Sequence, residues 1–153
     1  MSYKDTYTMN CGQKVFALTP IAFLLFFTLT AMPTAEGQDL RNRSNALIGR
    51  IQPDGIVRNS SNAQIGRIDA NGVIRNSSNA QIGKLDSDGK VRNASNAQIG
   101  SIDSDGKVRD ASNAQIGKIQ NGIVYDRSNA QIGTAKGIKQ EWATVAFFFF
   151  FDF

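Results

Sequence analysis

The sequence has 153 residues, 41% of them hydrophobic, with 17 Lys and Arg against 13 Asp and Glu, a single Cys and no His. That length holds one ordinary domain, or less once a terminal segment is removed. The absence of His takes away the commonest general base and metal ligand, and one Cys excludes a disulfide framework or a cysteine-based zinc site.

The apolar residues are unevenly spread. All 10 Phe lie at 16–27 and 147–153, and the middle is rich in Gly, Asn and Ser. Residues 15–29, VFALTPIAFLLFFTL, form an uncharged run preceded by Lys14 and followed by AMPTAEG. A basic start, a short apolar centre and small residues near a cut are the layout of an export signal. The predicted signal peptide is 1–37, with Ala35 and Gly37 at the small-x-small positions; cleavage after Ala35 is the alternative, and Met9 is an alternative start. A membrane anchor fits less well, because Pro20 interrupts the run and a spanning helix needs about 20 apolar residues. Cys11 precedes the run and leaves with it. The remaining chain, 38–153, keeps a net charge of +4, a mild excess that gives no case for nucleic acid.

From Arg41 the chain repeats. Copies start at Arg41, Arg58, Arg75, Arg92 and Arg109, four periods of 17 residues, and a period of 16 leads to a partial copy at Tyr125. The shared pattern is R-N-x-S-N-A-x-I-G-x-I-x-x-[DN]-G-x-V, and a short fixed period means one supersecondary unit copied along the chain. Each copy contains an Asx-Gly pair between aliphatic residues, at Asp54, Asn71, Asp88, Asp105 and Asn121, which predicts β-hairpins. Pro53-Asp54-Gly55 suits a three-residue loop on a type I turn. The fifth copy lacks one residue, and Asn121-Gly122 then suits a two-residue type I′ loop. Counting outward pairs Ile51 with Val57 in the first case and Ile119 with Val124 in the second, so the deletion preserves the apolar pair.

The Asn/Ser segments, such as Asn59-Ser60-Ser61-Asn62, are predicted to join successive hairpins as turns. At Asn42, Asn59, Asn76 and Asn93 they also match the N-glycosylation acceptor pattern, which Asp110 and Asp126 break. The recurrent I-G-x-I spacing does not fit strict alternation. A bulge at Gly49, Gly66, Gly83, Gly100 and Gly117 would turn both aliphatics inward; close packing of neighbouring units at Gly is the alternative. Such thin apolar seams favour a closed array over an open row with exposed edges.

After Gly137 comes IKQEWATVAFFFFFDF, with the remaining Phe and the sole Trp. Five consecutive Phe must be covered, so the segment is expected to pack on or in the ring. Lys139–Ala146 reads as a short helix and Phe147–Phe153 as a strand or extended plug, a partner- or membrane-docking element being the alternative. Hairpin strands of four or five residues are too short for an outer-membrane barrel, which needs about 9–11. The fold expected is therefore all-β: five to six hairpin repeats of about 17 residues in a closed radial, propeller- or flower-like array. Its parts are the signal peptide 1–37, the repeat domain 38–138 and the tail 139–153, which completes the same domain.

The array RNSSNAQIGKLDSDGKVRNASNAQIG, with the closing AKGIKQEWATVAFFFFF, resembles the 5-fold beta-flower proteins, secreted bacterial repeat proteins that have a 4-fold relative. The resemblance spans essentially all of 38–153. It implies short hairpin petals about a central axis, and carries no assigned activity and no catalytic residues. The sixth SNAQIG, Ser128–Gly133, is explained if the chain ends close the ring.

The chemistry-bearing residues point away from an enzyme. Asp86-Ser87-Asp88-Gly89 and Asp103-Ser104-Asp105-Gly106 start like calcium loops but lack the distal Glu. Recurrent Asp on loops has no unlike titratable partner, and the many Ser have no neighbouring His, so a hydrolase would need a cleft that gathers unlike groups. No catalytic, cofactor or metal residues are expected. The remaining candidates are cationic: Arg58, Arg75, Arg92 and Arg109 at one repeat position, and Arg50, Arg67, Lys84 and Lys118 at another. In a closed array each set becomes a ring, and converging Arg side chains fork onto carboxylate or phosphate. The plainer alternative is a solvated face with Asp neighbours. The reading is an exported structural or binding module in the periplasm, at the cell surface or outside the cell. Its alternative is a binder of an anionic polysaccharide or envelope component, with no membrane span after cleavage and an oligomeric state that the sequence leaves open.

Overall fold

The computed structural model describes residues 38–153, and the expected signal peptide lies outside them. Among the described residues no helix is long and apolar enough to cross a membrane. The first six strands are β1 (Gln38–Asn42), β2 (Leu47–Ile51), β3 (Ile56–Asn59), β4 (Gln64–Ile68), β5 (Val73–Asn76) and β6 (Gln81–Leu85). The next six are β7 (Lys90–Asn93), β8 (Gln98–Ile102), β9 (Lys107–Asp110), β10 (Gln115–Gln120), β11 (Ile123–Asp126) and β12 (Gln131–Thr134). Each pairs antiparallel with its chain neighbours, and β1 pairs with β12 through Arg41 opposite Thr134, so the twelve strands close into a barrel. Closure leaves no sheet edge to be covered. The Asn/Ser segments therefore make hairpins of their own within one continuous meander. Asx-Gly turns join five strand pairs, and the chain ends supply the sixth, which accounts for the additional SNAQIG copy.

Both turn types use the same loop with a different residue at its left-handed position. In one, Gly55 N–H donates to Gln52 O, and Gly55 has φ +86°. In the other, Asn45 N–H donates to Asn42 O, and Asn45 has φ +63°. The Asn42 Oδ1 accepts from Ser44 N–H and Ala46 N–H, which fixes the start of the loop. Space explains the choice. The Gly72 carbonyl accepts from Leu85 N–H at 2.8 Å, and a Cβ on Gly72 would strike the Leu85 carbonyl oxygen. Asn79 instead sits on an exposed turn, where a side chain has room. In the shortened copy Asn121 and Gly122 both have positive φ, and Ile119 stays opposite Val124 as Ile51 is opposite Val57.

The bulge expected at the recurrent Gly is present, one residue earlier. Val57 pairs with Gly66 and Arg58 with Gln64, which leaves Ile65 as the extra residue; Ile48, Ile82, Ile99, Ile116 and Ile132 occupy the same place. Two inward layers result. The first consists of opposed aliphatic pairs, such as Ile68 with Ile74 and Leu85 with Val91. The second holds the Gly, and the bulge residues Ile48, Ile65, Ile82, Ile99 and Ile132 pack against the core.

Within the tail, α1 (Gln140–Val145) passes directly into a π-helical turn at Ala146–Phe150, where a strand or extended plug was expected from Phe147; Phe151 is extended. Ala143, Thr144, Val145 and Ala146 are buried, and Phe147–Phe151 pack against the aliphatic cluster. The rings meet the second-layer glycines one to one and in reverse order: Phe147 at Gly133, Phe148 at Gly117, Phe149 at Gly100, Phe150 at Gly83, Phe151 at Gly66 and Phe153 at Gly49. A strand would send alternate rings to opposite sides. Six positions round a ring are about 60° apart, and a helix wider than the α-form steps each side chain by less than about 100°. The π-turn thus distributes consecutive Phe to consecutive strand pairs.

Exchanging the two left-handed residues tests the turn account. Asn79→Gly should change unfolding free energy in urea by less than about 1 kcal/mol, while Gly72→Asn should lose about 1–3 kcal/mol through overpacking against Leu85. Equal effects would show that φ alone selects the residue.

Candidate functional site

The two cationic sets lie on the outer face of the barrel, because they alternate with the inward residues. Arg50 is opposite Arg58, Arg67 opposite Arg75, and Lys84 opposite Arg92. Arg109 is opposite Ser101, and Lys118 is opposite Tyr125, over whose ring its ammonium lies at 4.9 Å. An outer wall points side chains away from the axis, so the sets do not converge on a point.

Much of the recurrence of Arg has a local cause. The Arg58, Arg75, Arg92 and Arg109 Nη1 groups donate to the carbonyls of the left-handed Asn62, Asn79, Asn96 and Asn113 at 2.9–3.1 Å. In three of these copies Nε also donates to an Asp at the Asx-Gly end: Asp69 for Arg75, Asp86 for Arg92 and Asp103 for Arg109. One side chain thereby ties together the turns at the two ends of its strand. Asp69 also bridges to Arg67, and Asp86 to Lys84. The hydrogen bonds from Arg92 and Lys84 hold the Asp86 carboxyl below the usual carboxylate range. Side-chain hydrogen bonds from Lys90 and Lys107 do the same for Asp88 and Asp105.

The pairing is uneven round the barrel. Across β4–β9 all seven cations, Arg67, Arg75, Lys84, Lys90, Arg92, Lys107 and Arg109, are ion-paired. Near the seam where β1 meets β12, Asp39 serves both Arg41 and Arg50. Gln52 and Gln120 stand where the three central copies have Asp69, Asp86 and Asp103, and among the described residues Arg43, Arg58, Lys118, Arg127, Lys136 and, in the tail, Lys139 have no carboxylate within 4.0 Å. Residues 38–59 and 115–136 carry seven cations and three anions, so the net +4 of the described chain is concentrated there. Arg43 and Arg127 are exposed at the tips of the Asn/Ser turns that flank the seam. Sequence reading singled out the repeated cations. The informative ones are those that depart from the repeat.

A second feature lies at the Asx-Gly end. A groove of about 770 Å³ runs between the turns that follow β4, β6 and β8 and the start of α1, with Trp142 on one side and Leu85 and Ile102 among its lining. Repeat patterning could not reveal it, because it exists only where α1 meets the ring; the sole Trp was the available signal. Among the described residues no cluster of three or more Cys, Asp or Glu has a metal-holding arrangement. Asp88 Oδ1 instead accepts from Lys90 N–H, as Asp54 Oδ1 does from Ile56 N–H.

The hydrogen bond from Arg50 is the main cause that lowers the Asp39 carboxyl below its usual value of 3.8. A lowered native value means a contribution complete above about pH 4 and lost as pH falls through the native value. Asp39→Asn should therefore reduce stability at neutral pH, modestly because the pair is partly exposed, and flatten the decline below about pH 4. Thermal unfolding against pH reads this; parallel curves for the two proteins would contradict it.

Comparison with known proteins is consistent with the ring. The model of the family described as 5-fold beta-flower protein matches residues 37–151. No curated protein and no solved structure matches. The family is not a known enzyme family, and its repeat module has no established function. With the family match covering nearly all of the described chain, this protein belongs to the 5-fold beta-flower family.

Proposed function

We propose that the protein is an exported, non-enzymatic binding module whose outer wall takes up an anionic polysaccharide or another anionic envelope polymer along the chain-closure seam. The observation that carries this is the uneven ion pairing: every cation of β4–β9 has a carboxylate, while Arg43, Arg58, Lys118, Arg127 and Lys136 have none among the described residues. From β3 to β10 across the seam is five strand steps, an arc of about 24 Å at ~4.8 Å each, which suits a polymer better than a single small anion. Arg58 and Arg127 are suited to bidentate contacts with carboxylate or sulfate.

Export is supported by the sequence of 1–37, and places the module in the periplasm, at the cell surface or outside the cell. In the same reading the five to six hairpin repeats and the tail form one unit, with the six Phe filling the ring. Absence of catalysis is supported by the groove carboxylates: Asp86 and Asp88 are both held in the ionised form, whereas acid–base hydrolysis needs a pair driven apart.

Dextran sulfate and polygalacturonate serve as probes. Binding should weaken steadily with ionic strength, because exposed charges are screened within about 10 Å at 0.1 M salt. Arg43→Glu with Arg127→Glu should weaken it about tenfold or more at low salt, while Arg92→Ala changes it little. Absent or salt-independent binding rejects the proposal, and equal losses at Arg92 and at the seam reject its location.

A further inference from the structure

We propose that the groove at the Asx-Gly end is a separate site for a neutral saccharide, with one sugar ring lying against Trp142. The site exists because α1 enters the ring off-centre. Its Gln140 side chain lies against Gly106 in the turn after β8, and α1 touches β10; the groove opens on its other side, between the turns after β4, β6 and β8. The core records the opening. Leu85 and Ile102 are 9% and 7% exposed, whereas Val57, Ile68, Ile74, Val91 and Val108 are each 0% exposed.

The volume, about 770 Å³, falls within the ~300–1,000 Å³ of small-ligand sites. Its chemistry is mixed. Trp142 and the two aliphatic residues give an apolar surface, and turn carboxylates with Ser87 and Ser104 give hydrogen-bonding groups. A pyranose has complementary parts: a face of C–H groups for an aromatic ring, and a rim of hydroxyls for acceptors.

The charge state selects within that class. Asp69, Asp86, Asp88, Asp103 and Glu141 line the groove against a single lining cation, Lys139, which disfavours an anionic sugar. Each of the four Asp is also matched by an Arg or Lys on the outer wall, and Glu141 faces a groove that Lys139 shares, so lone pairs remain available to hydroxyl donors while little unbalanced charge remains to attract a cation. The Lys139 ammonium lies 4.8 Å from the Trp142 ring centroid and shares the groove lining with it, so a sugar ring that stacks on the indole displaces the flexible lysine or takes a hydrogen bond from it.

Because Trp142 is the sole Trp, its emission reports on the site directly. The protein would be titrated with cellohexaose and N-acetylchitohexaose, with tetragalacturonate and tetramethylammonium as charged comparisons. The expected result is a saturable change with at least one neutral oligosaccharide that persists at high salt and in the Arg43→Glu, Arg127→Glu protein. Calorimetry should show about tenfold or greater weakening in Trp142→Ala. Ser104→Ala, on an exposed turn, should weaken binding while the melting temperature stays unchanged, and Asp88→Asn should weaken it with only the small loss of stability expected of an exposed ion pair. The proposal is overturned by no saturable response to either neutral oligosaccharide, by a response only to a charged probe, or by binding that survives all three substitutions.

Discussion

Each of six inward glycines meets one phenylalanine ring of the C-terminal segment, and most of the architecture depends on that contact. A Cβ at any of these glycines would come closer than 3.0 Å to a ring carbon, so the wall must lack a side chain where the aromatic enters. The ring in turn fills volume that short strands cannot fill by themselves. Twelve strands of four to six residues offer one aliphatic layer, and closed hydrogen bonding alone would surround a partly empty centre. Of the bulge residues, Ile48, Ile65, Ile82, Ile99 and Ile132 add to the same packing against the aliphatic cluster.

This dependence separates two kinds of recurrence. Gly, Asx-Gly and the Asn/Ser turn recur because every strand pair must solve the same geometric problem. Arg58, Arg75, Arg92 and Arg109 recur partly for that reason too, since each binds the carbonyl of a left-handed Asn. Individuality lies where copies differ. Gln52 removes a carboxylate, Arg43 and Arg127 add charge to turn tips that are Ser or Ala elsewhere, and Tyr125 replaces Arg opposite Lys118. Three of these four departures leave cations unpaired near the seam, and the fourth exchanges an ion pair for a cation–π contact.

Hairpins, the opposed aliphatic pairs and the effect of the shortened copy were legible because turn chemistry is local and the residues next to each Asx-Gly loop pair by simple counting. Asn121-Gly122 demanded its own loop type, and the Ile119–Val124 pair followed by counting. The π-turn was not legible. Phe147–Phe151 have no periodicity of their own, and their conformation is set by glycines as far back in the chain as Gly66. The groove was hidden for a related reason: symmetric repeats predict equivalent mouths, and only the path of α1 makes one part of the rim different. The cationic positions were found, but their mutual pairing depends on side-chain reach across strands, which spacing alone does not give.

The central claim is that ring and tail are held by matched Gly–Phe contacts, and a double-mutant cycle at Gly100 and Phe149 tests it most directly. Gly100→Ala should cost about 1–3 kcal/mol by overpacking, and Phe149→Ala about 3–5 kcal/mol by leaving a cavity. If the contact is as described, the double substitution costs less than the sum by about 1 kcal/mol or more in denaturant unfolding, because removing the ring relieves the added methyl. Some of the Gly100 cost should persist, since the methyl also meets the Arg109 carbonyl oxygen. Additivity within about 0.5 kcal/mol would mean that glycine and ring do not constrain each other, and would contradict the account.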